Sequence, residues 1–227
     1  MITAPRASRS ARKITLINDF NGYVNLGMAK RSNPFEWSGG DPALDFVNTL
    51  DERPSASPIE NLGGFADLVN FVEMAGLIEP GLAERLRTLK GPGTERAVRR
   101  ARDLREHLFA ILVAKHAGKS LPKASLNAIA AEVRQAHASR SLVASEASDS
   151  VRHDWLAPLS SEIPLYACAL AAETLLITAD HSRIRKCAGS DCDVYFIDTS
   201  KAHRRQWCSM QNCGNRAKQR RRRSKTE

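Results

Sequence analysis

"CAGSDCDVYFIDTSKAHRRQWCSMQNCGNR", residues 187–216, holds four of the five cysteines of the 227-residue chain. They fall in two pairs, Cys187 with Cys192 and Cys208 with Cys213. Four residues separate the members of each pair, and fifteen separate the pairs. Each pair can bend around one metal ion, and two close-spaced pairs are the ligand pattern of a tetrahedral four-cysteine zinc site. A redox pair would need two intervening residues rather than four. The basic N-terminus lacks the apolar core of a secretory signal, so a reducing compartment is expected, where disulfides do not persist. Four thiolates leave no open coordination position, so a single Zn2+ here is expected to be structural and not catalytic. Val194, Tyr195, Phe196, Ile197 and Trp207 are nearly all the apolar surface of this module. Metal ligation would supply the missing folding free energy, on the order of 10 kcal/mol or more. The segment between the pairs, residues 193–207, is expected to form a β-hairpin that brings them together, and His203 to be a basic-loop residue rather than a ligand.

Working outward, the charge is concentrated around the same stretch. The chain has 34 Lys+Arg and 25 Asp+Glu, a net charge of +9. Residues 183–227 hold 13 of the bases and 4 of the acids, which leaves 21 of each in residues 1–182 and puts the whole excess at the C-terminal end. A neutral body with a basic terminal module is the electrostatic pattern of a polyanion binder, and a merely solvated tail is the rival reading. A helix beginning near Cys213 would set Arg216, Arg220 and Arg223 on one face. With Lys218, and with Arg204 and Arg205 from the hairpin, these are the candidate nucleic-acid contacts, aimed at phosphates more than at bases.

The body reads as mainly helical. Residues 1–34 suggest a flexible basic extension, in which Met28 offers an alternative start. Residues 35–38 look like a short strand before a Gly39-Gly40 turn. Asp41 is then a good N-cap with Pro42 at the first helical position. Phe65, Leu68, Val69 and Val72 lie at helical spacing, as do Leu82, Leu86 and Leu89. Ala97, Ala101, Leu104, Leu108, Ile111 and Leu112 form the apolar face of a long helix over 94–116. Its arginines 96, 99, 100 and 102 lie largely outside that face, where Glu95, Asp103 and Glu106 suggest a salt-bridged surface. A helix opened by Ser120 and Pro122 follows, burying Leu126, Ile129 and Val133. Residues 141–155 switch to period 2 on either side of an Ala147–Ser150 turn, predicting a β-hairpin. An apolar helix over 161–178, with Cys168 buried at its middle, closes the body. No stretch is long and apolar enough to span a bilayer.

Two stretches resemble a known architecture. "RKCAGSDCDVYFIDTSKAHRRQWCSMQNCGNRAKQRRRR", residues 185–223, closely resembles the CGNR-type zinc finger of bacterial proteins, named for Cys213-Gly214-Asn215-Arg216. "GGDPALDFVNTLDER", residues 39–53, resembles the opening motif of the ABATE domain, which precedes this finger in stress-induced transcription regulators. Together the resemblances cover about residues 35–223. They imply that the four cysteines are zinc ligands and that the protein is a cytoplasmic, bacterial DNA-binding regulator, found with the nucleoid when bound to DNA. One departure is visible: the family usually has Arg-Arg before Trp-Cys, whereas this chain reads Arg205-Gln206-Trp207. That removes one candidate phosphate contact without touching the metal site.

The expected fold is therefore mainly α with small β-hairpin elements, in the α+β sense. An N-terminal extension (1–34) leads into an ABATE-like helical domain (35–182), a treble-clef-like four-cysteine finger with its basic helix (183–223), and a short tail (224–227). The helical domain is expected to act as a sensor or an oligomerisation unit, and a homodimer would suit a symmetric operator. Trp37, Asp45, Asn48 and Arg53 are candidates for a pocket binding a polar small-molecule effector. The competing reading is that Asp45 and Asn48 satisfy buried backbone groups or pair with Arg53. An enzyme is the less favoured class: no Gly-rich phosphate loop, G-x-S-x-G or H-E-x-x-H motif is present, and the six histidines are scattered. An RNA- or protein-binding zinc adaptor stays open beside the DNA-binding regulator.

Overall fold

Asp41 and Pro42 start the first helix as their residue types predict. In the computed structural model, which describes residues 34–144 and 150–224, helix α1 spans Pro42–Val47 and the Asp41 carboxylate accepts the Ala43 N–H at 2.8 Å. The expected extension lies, except for Pro34, outside the described residues, together with Met28, residues 145–149, which hold all but Ser150 of the expected Ala147–Ser150 turn, and residues 225–227. A two-stranded ladder follows α1, with β1 (Leu50–Asp51) antiparallel to β2 (Ile59–Glu60). Helices α2 (Phe65–Met74), α3 (Pro80–Arg87), α4 (Pro92–His116) and α5 (Lys123–Ala138) come next. Strands β3 (Arg140–Ala144) and β4 (Val151–Trp155) form the predicted antiparallel hairpin, with Leu142 opposite His153. Helix α6 spans Ile163–Thr178; then β5 (Ile184–Lys186), β6 (Tyr195–Ile197) and α7 (Asn215–Arg223) build the C-terminal module.

Helix α6 is apolar on nearly every side, the pattern of a helix that is wrapped rather than laid on a surface. It packs against α1, α2, α4 and α5, and Leu165, Cys168, Ala169 and Ala172 are fully buried there. Leu44 and Phe46 from α1, Leu68 and Phe71 from α2, and Leu104, Leu108 and Ile111 from α4 complete one continuous core. Burial alone pushes the Cys168 thiol well above its ordinary range, which fits a space-filling side chain and not a reactive one.

Two local expectations need correction. Residues 35–38 do not form a strand. Phe35 meets the Phe71 ring edge-on at 5.3 Å and Trp37 stacks on it at 5.5 Å, so ring packing on α2 holds the segment, and among the described residues no strand pairs with it. Of the four arginines singled out on α4, Arg100 and Arg102 find carboxylates, but from other elements. Arg100 pairs with Glu132 at 2.6 Å and with Glu162, while Arg102 donates to the Leu62 carbonyl at 2.6 Å. Arg105, only 2% exposed, forks onto both Glu60 oxygens at 2.7 Å. These pairs lock α4 to β2, α5 and the start of α6.

Candidate metal centre and basic helix

The metal centre begins with a hairpin, though not the one expected. Strand β5 pairs with β6, Ile184 opposite Ile197 and Lys186 opposite Tyr195, so the ladder brackets the first cysteine pair rather than the segment between the pairs. The turn from Cys187 to Cys192 is a knuckle closed by Cys187 N–H to Val194 O at 2.9 Å and Cys192 N–H to Gly189 O at 3.2 Å. Gly189 keeps the knuckle uncrowded: a Cβ would sit 3.1 Å from the Cys192 Cβ and within 3.6 Å of two of the sulfurs. Residues 198–206 wind around Asp198 in place of the expected second strand. That carboxylate, with no exposed surface, accepts Ser200 N–H at 2.9 Å, Ser200 O–H at 2.6 Å and Arg205 N–H at 2.9 Å. Three inward donors to one aspartate outweigh strand pairing here.

The second pair is placed by a single turn of π-helix, Met210–Gly214, which runs straight into α7. Ser209 caps it by accepting the Asn212 N–H at 3.3 Å. All four cysteines are buried, and their Sγ atoms lie within 4.8 Å of one another. Cys192 and Cys208 are 3.8 Å apart at sulfur, Cys208 and Cys213 3.6 Å. A tetrahedron with Zn–S bonds near 2.3 Å has S···S edges of about 3.8 Å, so the sulfur cage fits Zn2+. The outer groups agree. Cys208 N–H points at the Cys187 sulfur at 3.4 Å, and an Arg216 N–H at the Cys213 sulfur at 3.2 Å. Such donors support thiolate ligands. Without a cation the cage is electrostatically divided. Hydrogen bonds from Cys192 and Cys208 draw the Cys187 thiol well below its ordinary range, and the same crowding pushes Cys192 up to about 12 and Cys208 higher still. A divalent ion removes the conflict by letting all four ionise together. The structural Zn2+ is thus matched by geometry and by charge.

Arg205 closes the module. Its guanidinium lies 4.4 Å over the Phe196 ring and donates to the carbonyls of Trp207, at 2.9 Å, and Cys208. That binds the loop to the second cysteine pair and leaves Arg205 little capacity for the phosphate contact expected of it. Helix α7 presents Arg216, Lys218, Arg220, Arg221, Arg222 and Arg223, six cations and no acid in nine residues. Arg220 reaches back to Ser190 at 2.7 Å and Asp191 at 3.0 Å on the knuckle, an exposed pair that fixes the helix direction more than it stabilises. Lys218, Arg223 and, on the loop, Arg204 are exposed.

Of the four residues expected around an effector, only Asn48 and Arg53 border the same gap. Trp37 stacks in the core on Phe71. Arg53 lies 4.1 Å over Phe109 and pairs with Glu106 at 2.6 Å. Asp45, 3% exposed, accepts the Gly39 N–H at 2.7 Å, and burial pushes its carboxyl up to about 7. Gly39 has no room for a side chain, since a Cβ would meet the Asp45 Oδ1 and Leu44 Cβ at 2.8 Å. Asn48 serves the finger: its Nδ2 donates to Tyr195 O at 2.9 Å and its Oδ1 accepts Tyr195 N–H at 3.1 Å. The gap flanked by Asn48, Arg53 and Asp193 measures about 10 Å³, room for one water. The Asn48–Tyr195 clasp spans 147 residues and has no local sequence signal.

Two family models match the chain. Residues 40–179 match ABATE, described as "Putative stress-induced transcription regulator", and residues 183–226 match the CGNR zinc finger. No curated protein matches it. Among the described residues no helix is long and apolar enough to cross a membrane.

Proposed function

The chain belongs to the ABATE family and carries a CGNR zinc finger at its C-terminal end, and from that premise we propose a zinc-dependent, DNA-binding transcription regulator. The observation that carries the reading is α7: six cations and no carboxylate, projecting from a metal-stabilised scaffold. Cys187, Cys192, Cys208 and Cys213 hold one Zn2+, which rigidifies the base of the helix. Arg204, Arg216, Lys218, Arg220 and Arg223 contact phosphates in or beside the major groove, and Arg205 holds the loop that carries Arg204. Residues 35–182 form the sensing or oligomerising domain and residues 183–223 the finger. The protein works by binding rather than by turnover, in the cytoplasm and on the nucleoid.

The test is equilibrium binding of the zinc-loaded chain to random-sequence duplex DNA across a salt series. Five phosphate contacts predict a slope of log K against log salt of about −4.5. Lys218→Gln with Arg223→Gln, remote from the sulfurs, should flatten that slope by about 2 while zinc content stays unchanged. A chain that binds no duplex at low salt, or whose slope ignores the double substitution, sinks the proposal. Binding to RNA alone would favour the adaptor reading.

A further inference from the structure

The β3–β4 hairpin touches the core at its base, where Trp155 stacks on Tyr166 of α6 at 6.5 Å, and stands clear of it beyond. Strand β3 lies beside α5, and β4 has β3 on one side only: among the described residues no other strand pairs with its outer edge. Such an edge is a template for another strand unless it is blunted, and this one carries neither proline nor lysine. Strand β4 reads Val151-Arg152-His153-Asp154-Trp155. Val151 is 69% exposed, and Leu142, on the same hairpin face, 65%. Arg152 and Asp154 pair with each other at 3.2 Å in open solvent, an arrangement that contributes little.

We propose that the outer edge of β4 is a self-association surface, on which a second copy of this chain adds its own β4 antiparallel, with a two-fold axis at His153. The register follows from two constraints. A two-fold axis normal to the sheet puts residues of the same face opposite each other, so the central position must be a single residue and not the gap between two. Only Arg152, His153 or Asp154 can then be central if most of the strand is to pair. Centring on Arg152 or Asp154 stacks identical charges across the axis. Centring on His153 sets Arg152 opposite the partner's Asp154, and Asp154 opposite the partner's Arg152, while Val151 meets the partner's Trp155. Opposite charges and an apolar–aromatic pair are the favourable cross-strand neighbours. The strand is thus complementary to itself in one register, and the two hairpins become a continuous four-stranded antiparallel sheet.

The experiment is sedimentation of the zinc-loaded full chain without DNA, so its outcome is independent of the DNA-binding reading. The wild-type chain should dimerise. D154R gives an all-basic strand edge and R152D an all-acidic one, and each should weaken dimerisation about tenfold or more. Mixing the two variants should restore association as a heterodimer, because each acidic edge then faces a basic one. The substituted side chains are exposed, and unchanged helix content and zinc stoichiometry will show that both variants fold. A monomeric wild-type chain, single variants that associate like wild type, or a mixture that stays monomeric would each overturn the proposal.

Discussion

Replacing Asn48 with alanine should loosen the finger from the body without touching a single sulfur. Asn48 ends α1, and its amide makes both of its hydrogen bonds to one residue, Tyr195 of β6, at 2.9 and 3.1 Å. Each such bond contributes roughly 1 kcal/mol net, and a buried partner left unpaired costs about 1–3 kcal/mol. Tyr195 is 2% exposed, but Asn48 is half-buried at the rim of a gap that can hold one water. Solvent can therefore reach the vacated position, and the cost should sit near the lower end, about 2–3 kcal/mol in all. For a folded region of this size that lowers Tm by about 4–12 °C. Thermal and urea unfolding at saturating zinc would measure it, with zinc stoichiometry as the control. Asn48→Asp keeps the acceptor but loses the donor, and should lie between wild type and alanine unless the new charge is itself costly. A loss below about 0.5 kcal/mol for Asn48→Ala would refute the clasp, and a variant that folds normally but loses ligand-dependent behaviour would return Asn48 to an effector site.

Further outcomes follow from the same geometry. A chelator should remove one Zn2+ per chain and melt α7 and the β5–β6 ladder while the α6-centred core survives, which far-UV circular dichroism with metal analysis can follow; complete unfolding on chelation would contradict two separate apolar clusters. Asp45 imposes a pH dependence of definite sign. Its folded pKa of about 7 lies above the ordinary aspartate value of 3.8, so its stabilising contribution is complete below about pH 4 and is lost as pH rises through 7. Asp45→Asn, which keeps an acceptor for Gly39 N–H, should gain stability over wild type as pH rises from 4 to 7 and hold that gain above it, and a difference that does not change with pH would refute the assignment.

The zinc site could be read from the chain because metal ligation leaves a local signature: four cysteines at fixed spacings, with few apolar residues to explain them otherwise. The first cap was equally readable, since Asp41 and Pro42 act within one turn of backbone. What escaped was anything decided between distant segments. Strand β6 is only three residues long, and its partner lies before the first cysteine pair rather than after it. The draw of Asp198 on Ser200 and Arg205 ruled out the expected pairing, and nothing in the spacing of those residues announces it. Arg205 looked like a surface cation because arginine usually is one, yet its planar head suits carbonyls and the Phe196 ring better than water here. Arg105 sat beside an apolar face in the helical pattern, and only the fold brings Glu60 to it.

The alternation along β6 has a consequence for any regulatory role. Tyr195 and Ile197 face the body, where Tyr195 joins the main core and Ile197 N–H donates to Gly39 O at 2.8 Å. Phe196, between them, faces the sulfurs. Three consecutive residues therefore belong to two hydrophobic clusters at once, as the period of two in a strand permits. Gly39 in turn donates its own N–H to Asp45, so α1, the Gly39 turn and β6 form one hydrogen-bonded unit. A finger joined to its body through the middle of a shared strand is not hung on a linker. It cannot swing without breaking the Asn48 clasp and withdrawing Tyr195 from the core, at a cost of several kcal/mol. On the proposed DNA-binding reading, a signal in the body would then not act by reorienting α7 within one chain. It would act on the distance and angle between the fingers of two chains, and the β4 edge is where those would be set.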